Sequence, residues 1–364
     1  MKRKKTPSAP KRIAAQRPTL RDVADIAGFT PATASYVLSG NKSVTISATT
    51  RERVIRAANE IGYRPHHAAR SLATGRTRTI GLCFGDTGNL PFVDDYDKQV
   101  MHGVLHATAL ESYALQVVAS LNGQIHHHVD GWIAVQTHKN FDLDGLGQVP
   151  VVFLDPFQPV PDQICVWADN IDGGHLLAKQ LAPMCRSVLV LLHEPVDQTA
   201  FSYQSRLLAF RTKWKELVPD GQLETGILHP DASREDCEKF IGTCGDLVRQ
   251  GKISHIACLS DLQAALVNTL LREANLRVPN DLSLSGFDNT LHGLLCSPSI
   301  STVDLHAAQA GQVAVARLIG LLTDAPTASS ILPPVWIERE STRLVSDDSR
   351  TKSNKHKQQK IKKK

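Results

Sequence analysis

The sequence of 364 residues contains no apolar run close to the roughly 20 residues that a helix needs to cross a bilayer. Its Lys-rich start is not followed by the apolar segment of a secretory signal. The seven cysteines are an odd number and lack the C-x-x-C spacing that grips a metal or performs redox chemistry. We therefore expect a cytoplasmic protein that is not bound to a membrane and uses no metal or other cofactor.

Motifs of the common enzyme classes are missing as well. There is no Gly-rich phosphate loop, no nucleophile elbow and no paired-carboxylate motif. Three consecutive histidines, His126 to His128, point in different directions and have no Cys or acid beside them at ligand spacing, which favours a solvated loop over a metal site. The sequence does not predict an enzyme.

Charge is distributed unevenly along the chain. Residues 1–78 hold 16 Lys and Arg against 4 Asp and Glu, residues 79–349 hold 17 against 32, and residues 350–364 hold 8 against none. A basic terminal segment joined to an acidic domain is typical of a nucleic-acid-binding module attached to a domain with a different function. The two chain ends have no aromatic residues and no apolar period, which predicts disordered basic segments.

The first basic part of the chain carries a helix-turn-helix pattern. Thr19 precedes an amphipathic segment as its cap, Gly28 ends that segment, and Thr30 with Pro31 starts a second helix. A third amphipathic helix begins at Ser47. In this motif the second helix enters the major groove of DNA. On these residues alone, any small basic three-helix core is the alternative.

From residue 79 onward, apolar strand-like runs alternate with helical stretches. This alternation predicts an α/β body of doubly wound parallel sheets, in which ligands bind at the carboxyl ends of the strands. The predicted strands are Ile80–Phe84, Leu115–Ala119, Trp132–Val135, Val149–Leu154, Ile164–Trp167, Val188–Leu192, His255–Leu259, Leu282–Gly286 and Ser301–Val303.

Five acids follow predicted strands, where that topological rule puts a ligand: Asp86, Asp155, Asp169, Asp261 and Asp288. Aspartate also favours helix caps, so each acid has a structural alternative. For Asp169 and Asp261 the cap and the ligand contact are equally open.

These patterns combine into a family resemblance. The runs TLRDVADIAGFTPATASYVLSG, TRERVIRAANEIGYRP, ARSLATGRT, DGWIAV, VPVVFLDP, WADN, SRLLAF, LREANLRVPNDLSLSGFDN and SPSISTVD resemble the lactose-repressor family of bacterial regulators over most of residues 19–345. The resemblance implies a homodimeric repressor that binds a near-palindromic double-stranded operator. It also implies a bilobed, periplasmic-binding-protein-like body, in which the chain crosses three times between the lobes and a sugar-like or sugar-acid effector in the cleft alters operator affinity.

The resemblance also implies a division of the chain. We expect a basic extension at 1–18, a helix-turn-helix domain at 19–64, a hinge helix and linker at 65–78, an effector-binding and dimerisation domain at 79–345 and a basic tail at 346–364. A regulator of this kind would act on the nucleoid.

Residues of the headpiece take DNA roles by the same resemblance. The residues expected to contact phosphates or bases are Thr19, Thr30, Thr33, Ser35 and Asn41. The residues expected to determine operator preference are Pro31, Ala32 and Tyr36. Pro31 and Ala32 have no side-chain hydrogen-bonding group, so Tyr36 is the expected hydrogen-bonding reader of bases. In the hinge, Arg70 is a DNA contact and Leu72 is a wedge that opens a base step from the minor groove. Without the motif around it, Leu72 is better interpreted as a leucine that packs between the domains.

In the body, the resemblance makes Arg206 the residue that grips the effector and puts Asp288 on the facing side of the cleft. Arginine and carboxylates suit a polyhydroxylated or anionic ligand. The competing interpretation makes Arg206 a member of a structural ion pair.

One segment departs from the family. Only residues 121–129 separate the second and third predicted strands, whereas a parallel crossover normally needs a dozen or more residues. We expect the first lobe to lack a covering helix and its cleft to be altered. A regulator without ligand response therefore stays an alternative, as does a solute-binding or enzymatic protein with a basic extension.

We expect dimers rather than tetramers, because the Lys-rich residues after Val345 show no apolar heptad for a coiled coil. The predicted helix Asp94–Glu111, with Val100, Val104 and Ala107 at helical spacing, is a candidate for part of the interface. Light scattering at micromolar concentration should give twice the 39.8 kDa chain mass. A stable tetramer would contradict this expectation.

Overall fold

A computed structural model describes residues 18–38, 44–63, 75–84, 95–118, 128–136, 146, 148–156, 160–195 and 201–343. The chain divides into two compact units, Met1–Thr77 and Arg78–Lys364, and each is described by itself.

The first unit is a three-helix core made of α1 (Leu20–Ala27), α2 (Pro31–Leu38) and α3 (Ala48–Glu60). Thr19 and Asp22 form a capping box at the start of α1, and Gly28 ends that helix in the left-handed conformation at φ 72°. The predicted helix boundaries are confirmed. The side chains that meet in the core are Val23, Ala24, Ala27, Ala34, Val37, Val54, Ala57 and Ala58.

The second unit contains two six-stranded sheets. The sheet of the first lobe is entirely parallel in the order β11-β5-β4-β3-β1-β2. Its strands are β1 (Thr79–Phe84), β2 (Ala114–Val118), β3 (Gly131–Val135), β4 (Val151–Leu154), β5 (Ile164–Ala168) and β11 (Ser330–Leu332). Two helices, α4 (Asp95–Leu110) and α10 (Ala307–Leu322), pack together in this lobe.

The sheet of the second lobe has the order β12-β10-β9-β8-β6-β7, with only β12 antiparallel. Its strands are β6 (Ser187–Leu192), β7 (Gln222–Ile227), β8 (His255–Cys258), β9 (Ser283–Phe287), β10 (Ser301–Asp304) and β12 (Val335–Ile337). The intervening helices are α5 (Asn170–Leu181), α6 (Phe201–Leu217), α7 (Arg234–Arg249), α8 (Asp261–Glu273) and α9 (Leu291–Leu294).

The chain crosses between the lobes three times within the described residues, as expected: from β5 to β6, from β10 to β11 and from β11 to β12. The first and third crossings touch, since the Asp169 amide donates to the Leu332 carbonyl over 3.3 Å. All nine predicted strands are present. The sequence interpretation missed β7, whose residues are mostly exposed, and the three-residue strands β11 and β12.

The short link between β2 and β3 is only partly visible, because residues 119–127 lie outside the described part of the chain. Both β2 and β3 pair with β1, on opposite edges, so β1 lies between them in the sheet. The expectation of a missing covering helix remains a prediction.

The proposed interface role of Val100 and Val104 is wrong. Both side chains are fully buried inside the lobe, where α4 packs against α10. The helices approach closely at two glycines: a Cβ on Gly103 would lie 1.9 Å from the Ala308 carbonyl oxygen, and one on Gly311 would lie 2.4 Å from the Val100 carbonyl oxygen. The apolar period of α4 therefore marks a monomer core.

Replacement of Gly103 by Ala should lower the free energy of unfolding by about 1–3 kcal/mol, because the added methyl group meets backbone that cannot rotate away. Gly242→Ala is the matched control: Gly242 is also helical but has open space around it, so the same change should stabilise by roughly 0.5–1 kcal/mol. Urea denaturation of both variants measures the difference. Equal effects would show that the α4–α10 contact tolerates a side chain.

Candidate functional site

The second helix of the first unit presents an exposed face beside its buried one. Ala34 and Val37 point into the core, whereas Pro31, Ala32 and Ser35 are exposed. Tyr36, a large aromatic side chain, is 40% exposed on the same helix. An exposed aromatic ring beside small side chains is suited to approach the base edges of a DNA groove.

The threonines of this unit hold the helix starts. The Thr19 hydroxyl is 2.8 Å from an Asp22 carboxylate oxygen, and the Thr30 hydroxyl accepts from the Thr33 amide at 3.2 Å. The Thr30 and Thr33 hydroxyls are themselves 3.0 Å apart. Thr19 and Thr30 are exposed, and Thr33 is half-buried. All three hydroxyls lie at helix N-termini, where anions are favoured.

Four residues with predicted roles lie outside the described part of the chain: Asn41, Arg70 and Leu72 for DNA, and Asp86 for the effector.

Arg206 and Asp288 form a buried ion pair in the second lobe. The guanidinium makes two hydrogen bonds to the carboxylate, Nη2 to Oδ1 at 2.8 Å and Nη1 to Oδ2 at 3.2 Å. Each residue is 3% exposed. Arg206 comes from α6 and Asp288 follows β9, so both belong to the same lobe. The expectation that Asp288 faces Arg206 from the opposite wall of the cleft is therefore wrong.

The rest of the Arg206 side chain is also engaged. Its Nη1 donates to the Leu259 carbonyl at 2.6 Å, its Nε donates to Asn170 Oδ1 at 2.8 Å, and the guanidinium lies 4.1 Å from the Phe287 ring centre. Tyr203 offers a second ring at 5.1 Å. The positive charge is thus compensated within the protein before any ligand arrives.

Asp155 and Tyr96 supply the polar groups of the first lobe. The Tyr96 hydroxyl donates to Asp155, whose other oxygen accepts from the Ala168 amide at 2.7 Å. Burial raises the pKa of Asp155 to about 6, while the positive charge of Arg206 acts in the opposite direction. Asp155 follows β4 and Asp288 follows β9, so each carboxylate lies at the carboxyl end of a strand in its own lobe.

The lobes also touch directly beside this site. Gln99 of α4 donates to the Asp288 carbonyl at 3.0 Å, and His292 of α9 is hydrogen-bonded to Asp95 at the start of α4. The N-terminal part of α4 thereby contacts both α9 and the loop before it, which we call the β9–α9 loop and which runs from Asp288 to Thr290.

The remaining two predicted acids, Asp169 and Asp261, lie at the starts of α5 and α8. Asp169 caps α5 by accepting from the Asp172 amide at 2.8 Å, in line with the cap interpretation. Asp261 does not cap α8, since Ser260 does so. Asp261 is fully buried. Arg206 and Asp288 are nearly as buried, so an effector contact by Asp261 stays a prediction.

Sequence reasoning missed several polar residues of the site, notably Tyr96, Asn170 and His193. His193 directly follows β6, with Nε2 2.9 Å from the Ser260 hydroxyl and its ring 4.7 Å from that of Tyr203. Burial lowers the pKa of His193 to about 4, so the imidazole is neutral at physiological pH. The strand-end rule that selected the acids would have selected His193 had it been applied to every polar residue.

The described residues contain no group of three His, Cys, Asp or Glu side chains placed to hold a metal ion. Within that same part of the chain, no helix has the length and apolar character required to traverse a bilayer.

Two family models match the chain. Residues 19–66 match the lacI family of bacterial regulatory proteins, and residues 182–342 match a periplasmic binding protein-like domain. The first match coincides with the three-helix core, and the second covers most of the second lobe.

Curated relatives match nearly end to end. The transcriptional repressor PurR of Aliivibrio fischeri is 26% identical over 332 residues, covering 84% of this chain and 92% of PurR. The regulator CelR of Thermobifida fusca is 27% identical, with coverages of 85% and 94%. The ribose operon repressor of Haemophilus influenzae is 26% identical, with coverages of 89% and 98%.

Solved structures share the fold. The lac repressor dimer bound to operator and the anti-inducer ONPF superposes with a TM-score of 0.70 at 20% identity, covering 90% of this chain and 99% of that one. A complex of CelR with cellobiose gives 0.58 at 23% identity, covering 89% and 100%.

Replacement of Arg206 by Ala should lower the free energy of unfolding by about 3–5 kcal/mol, because it leaves the Asp288 carboxylate buried without its counter-ion. Arg211→Ala on the exposed side of the same helix is the control and should change it by no more than about 0.5 kcal/mol. In chemical denaturation, the double variant Arg206→Ala with Asp288→Ala should cost less than the sum of the single variants. An additive result would mean that the pair is not coupled.

Proposed function

The chain belongs to the lacI family of bacterial regulatory proteins, and on that premise we propose that it is a sequence-specific DNA-binding repressor controlled by a small sugar-like effector. The observation that carries this proposal is the lacI match over residues 19–66, where α2 exposes Tyr36 and its small neighbours. The family consists of regulators and not enzymes.

Operator recognition is assigned to the first unit. The N-terminal half of α2 enters the major groove, where Pro31 and Ala32 make apolar contacts, for example with thymine methyls, and Tyr36 reads by hydrogen bonding. Thr19, Thr30, Thr33, Ser35 and Asn41 contact phosphates or bases. Residues 65–78 link this domain to the body, with Arg70 as a DNA contact and Leu72 as the wedge in the minor groove. Because the basic residues neutralise DNA phosphates, the affinity for DNA falls steeply as the salt concentration rises.

The effector is assigned to the site between the lobes of residues 79–345. The relatives include a ribose operon repressor, and the structural neighbours include CelR with cellobiose. The charge of Arg206 is already compensated by Asp288, and Asp155 adds a further carboxyl group. This balance favours a neutral, hydroxyl-rich sugar over the sugar acid that the sequence left open. A ligand that bridges the lobes shifts operator affinity by its differential affinity for the two lobe arrangements.

A near-palindromic operator implies that two copies of the chain act together, one on each half-site. We place this homodimer on the bacterial nucleoid, where its DNA partner lies.

Selection of bound fragments from random double-stranded DNA tests the function. The full-length protein should enrich a near-palindromic sequence with two half-sites. If the protein instead retains unrelated DNA fragments equally well, the remaining interpretation is a solute-binding protein that carries a basic extension. A thermal-shift screen with ribose and cellobiose among other sugars then tests the effector, because a ligand that binds only the native state raises its melting temperature.

Replacement of Tyr36 by Ala should weaken binding to the selected operator by about 1–3 kcal/mol and leave binding to random DNA nearly unchanged, because only a base contact depends on sequence. Ile55→Ala removes a similarly exposed side chain from α3 and serves as the control. Affinities should be measured by fluorescence anisotropy at several salt concentrations. Equal losses of affinity for both DNAs would mean that Tyr36 contacts the DNA backbone and not a base.

A further inference from the structure

The β9–α9 loop meets three parts of the second unit at once. Its Asp288 binds Arg206 and accepts from Gln99 of the first lobe. Its Asn289 donates to Asp304, where the chain leaves the second sheet, over 3.0 Å. Any movement of this loop therefore changes the effector site, the lobe contact and a lobe crossing together.

The backbone of the loop has an uncommon conformation. Asp288 has φ 90° and Asn289 has φ 50°, so two consecutive residues with side chains occupy the left-handed half of the map. Such conformations persist only where the surroundings determine them. The loop must therefore be held from outside.

Asp261 lies directly behind this loop and is fully buried. Its Oδ2 accepts from the Thr290 amide at 2.6 Å. A Cβ on Gly286 would come within 2.1 Å of Asp261 Oδ1, and one on Gly293 within 3.0 Å of Asp261 Cγ. The carboxyl group thus fits between two glycines that flank the loop, one in β9 and one in α9.

The carboxyl group sits in a poorly compensated environment. Burial raises the pKa of Asp261 to about 7, and the negative charge of Asp288 adds to this, while hydrogen bonds from Thr290 and Thr302 and the charge of Arg339 oppose it. The other titratable groups that interact with it are the thiols of Cys258 and Cys296.

We propose that Asp261 is a positioning residue of the effector site, whose carboxyl group holds the β9–α9 loop so that Asp288 meets both Arg206 and the first lobe. That the site serves an effector rests on the proposed function, whereas the positioning itself does not. Because the Thr290 amide donates to Asp261, its signal reports on the state of that carboxyl group.

The first test is a titration of the full-length protein labelled with ¹⁵N-threonine. The Thr290 amide signal should shift with a midpoint near pH 7 in the wild type, because an ionised carboxylate binds an N–H more strongly than a neutral one. Asp261→Asn keeps an oxygen acceptor but cannot ionise, so the part of the Thr290 shift that depends on this carboxyl group should disappear. Asp281→Asn, a change at an exposed acid that is bonded to Arg277, is the control and should titrate like the wild type. An unchanged titration in Asp261→Asn would overturn the proposal.

The second test is hydrogen exchange of the same amide. Asp261→Ala should speed exchange at Thr290 about five- to tenfold, as expected when one hydrogen bond is lost, while Asp261→Asn should stay within about twofold of wild type. Unaltered protection in a folded Asp261→Ala protein would contradict the positioning role. Should that variant fail to fold, the titration decides alone. Operator selection by the wild type tests the proposed function separately, because neither amide measurement depends on DNA or effector.

Discussion

The buried ion pair between Arg206 and Asp288 fixes the geometry on which the second unit depends. A guanidinium is tolerated in a protein interior only while its donors are matched, and here they reach Asp288, the Leu259 carbonyl and Asn170. These partners belong to the end of β9, the end of β8 and the start of α5. One side chain therefore sets the relative positions of two strand ends and the helix that receives the chain from the first lobe.

The two lobes are joined by contacts of different kinds. A continuous buried apolar cluster contains Ile80 and Val100 from the first lobe and Val190 and Phe287 from the second. Beside it, at the carboxyl ends of the strands, the contacts are directional polar bonds such as that from Gln99 to the Asp288 carbonyl. Ligand hydroxyls can replace hydrogen bonds of this kind, whereas the apolar contact between the lobes is lost only when the lobes separate. An effector can thus alter the lobe contact while the lobes stay together.

Most of the fold could be predicted from the sequence because buried parallel strands are continuous apolar runs, of which Val188–Leu192 is typical. The edge strand Gln222–Ile227 has no such run and was missed. The strand-end rule found Asp155 and Asp288, but it cannot say which strands share a sheet. The pairing of Arg206 with Asp288 depends on that assignment and on burial, neither of which appears in a linear pattern. For the same reason the apolar period of α4 could not distinguish a monomer core from an interface.

The charge balance of the site follows from burial rather than from composition. The three acids Asp288, Asp155 and Asp261 outnumber the arginines beside them, since Arg206 pairs with Asp288 and Arg339 acts on Asp261, so the site would carry a net negative charge if all three were ionised. Burial raises the pKa of Asp155 to about 6 and that of Asp261 to about 7, so near neutral pH Asp155 is mostly ionised whereas Asp261 is partly protonated. An anionic ligand would meet the Arg206 guanidinium already paired with Asp288 and would add to the negative charge of Asp155. A neutral polyol can exchange hydrogen bonds with the same groups without changing their charge, and this is the physical basis for assigning a sugar rather than a sugar acid.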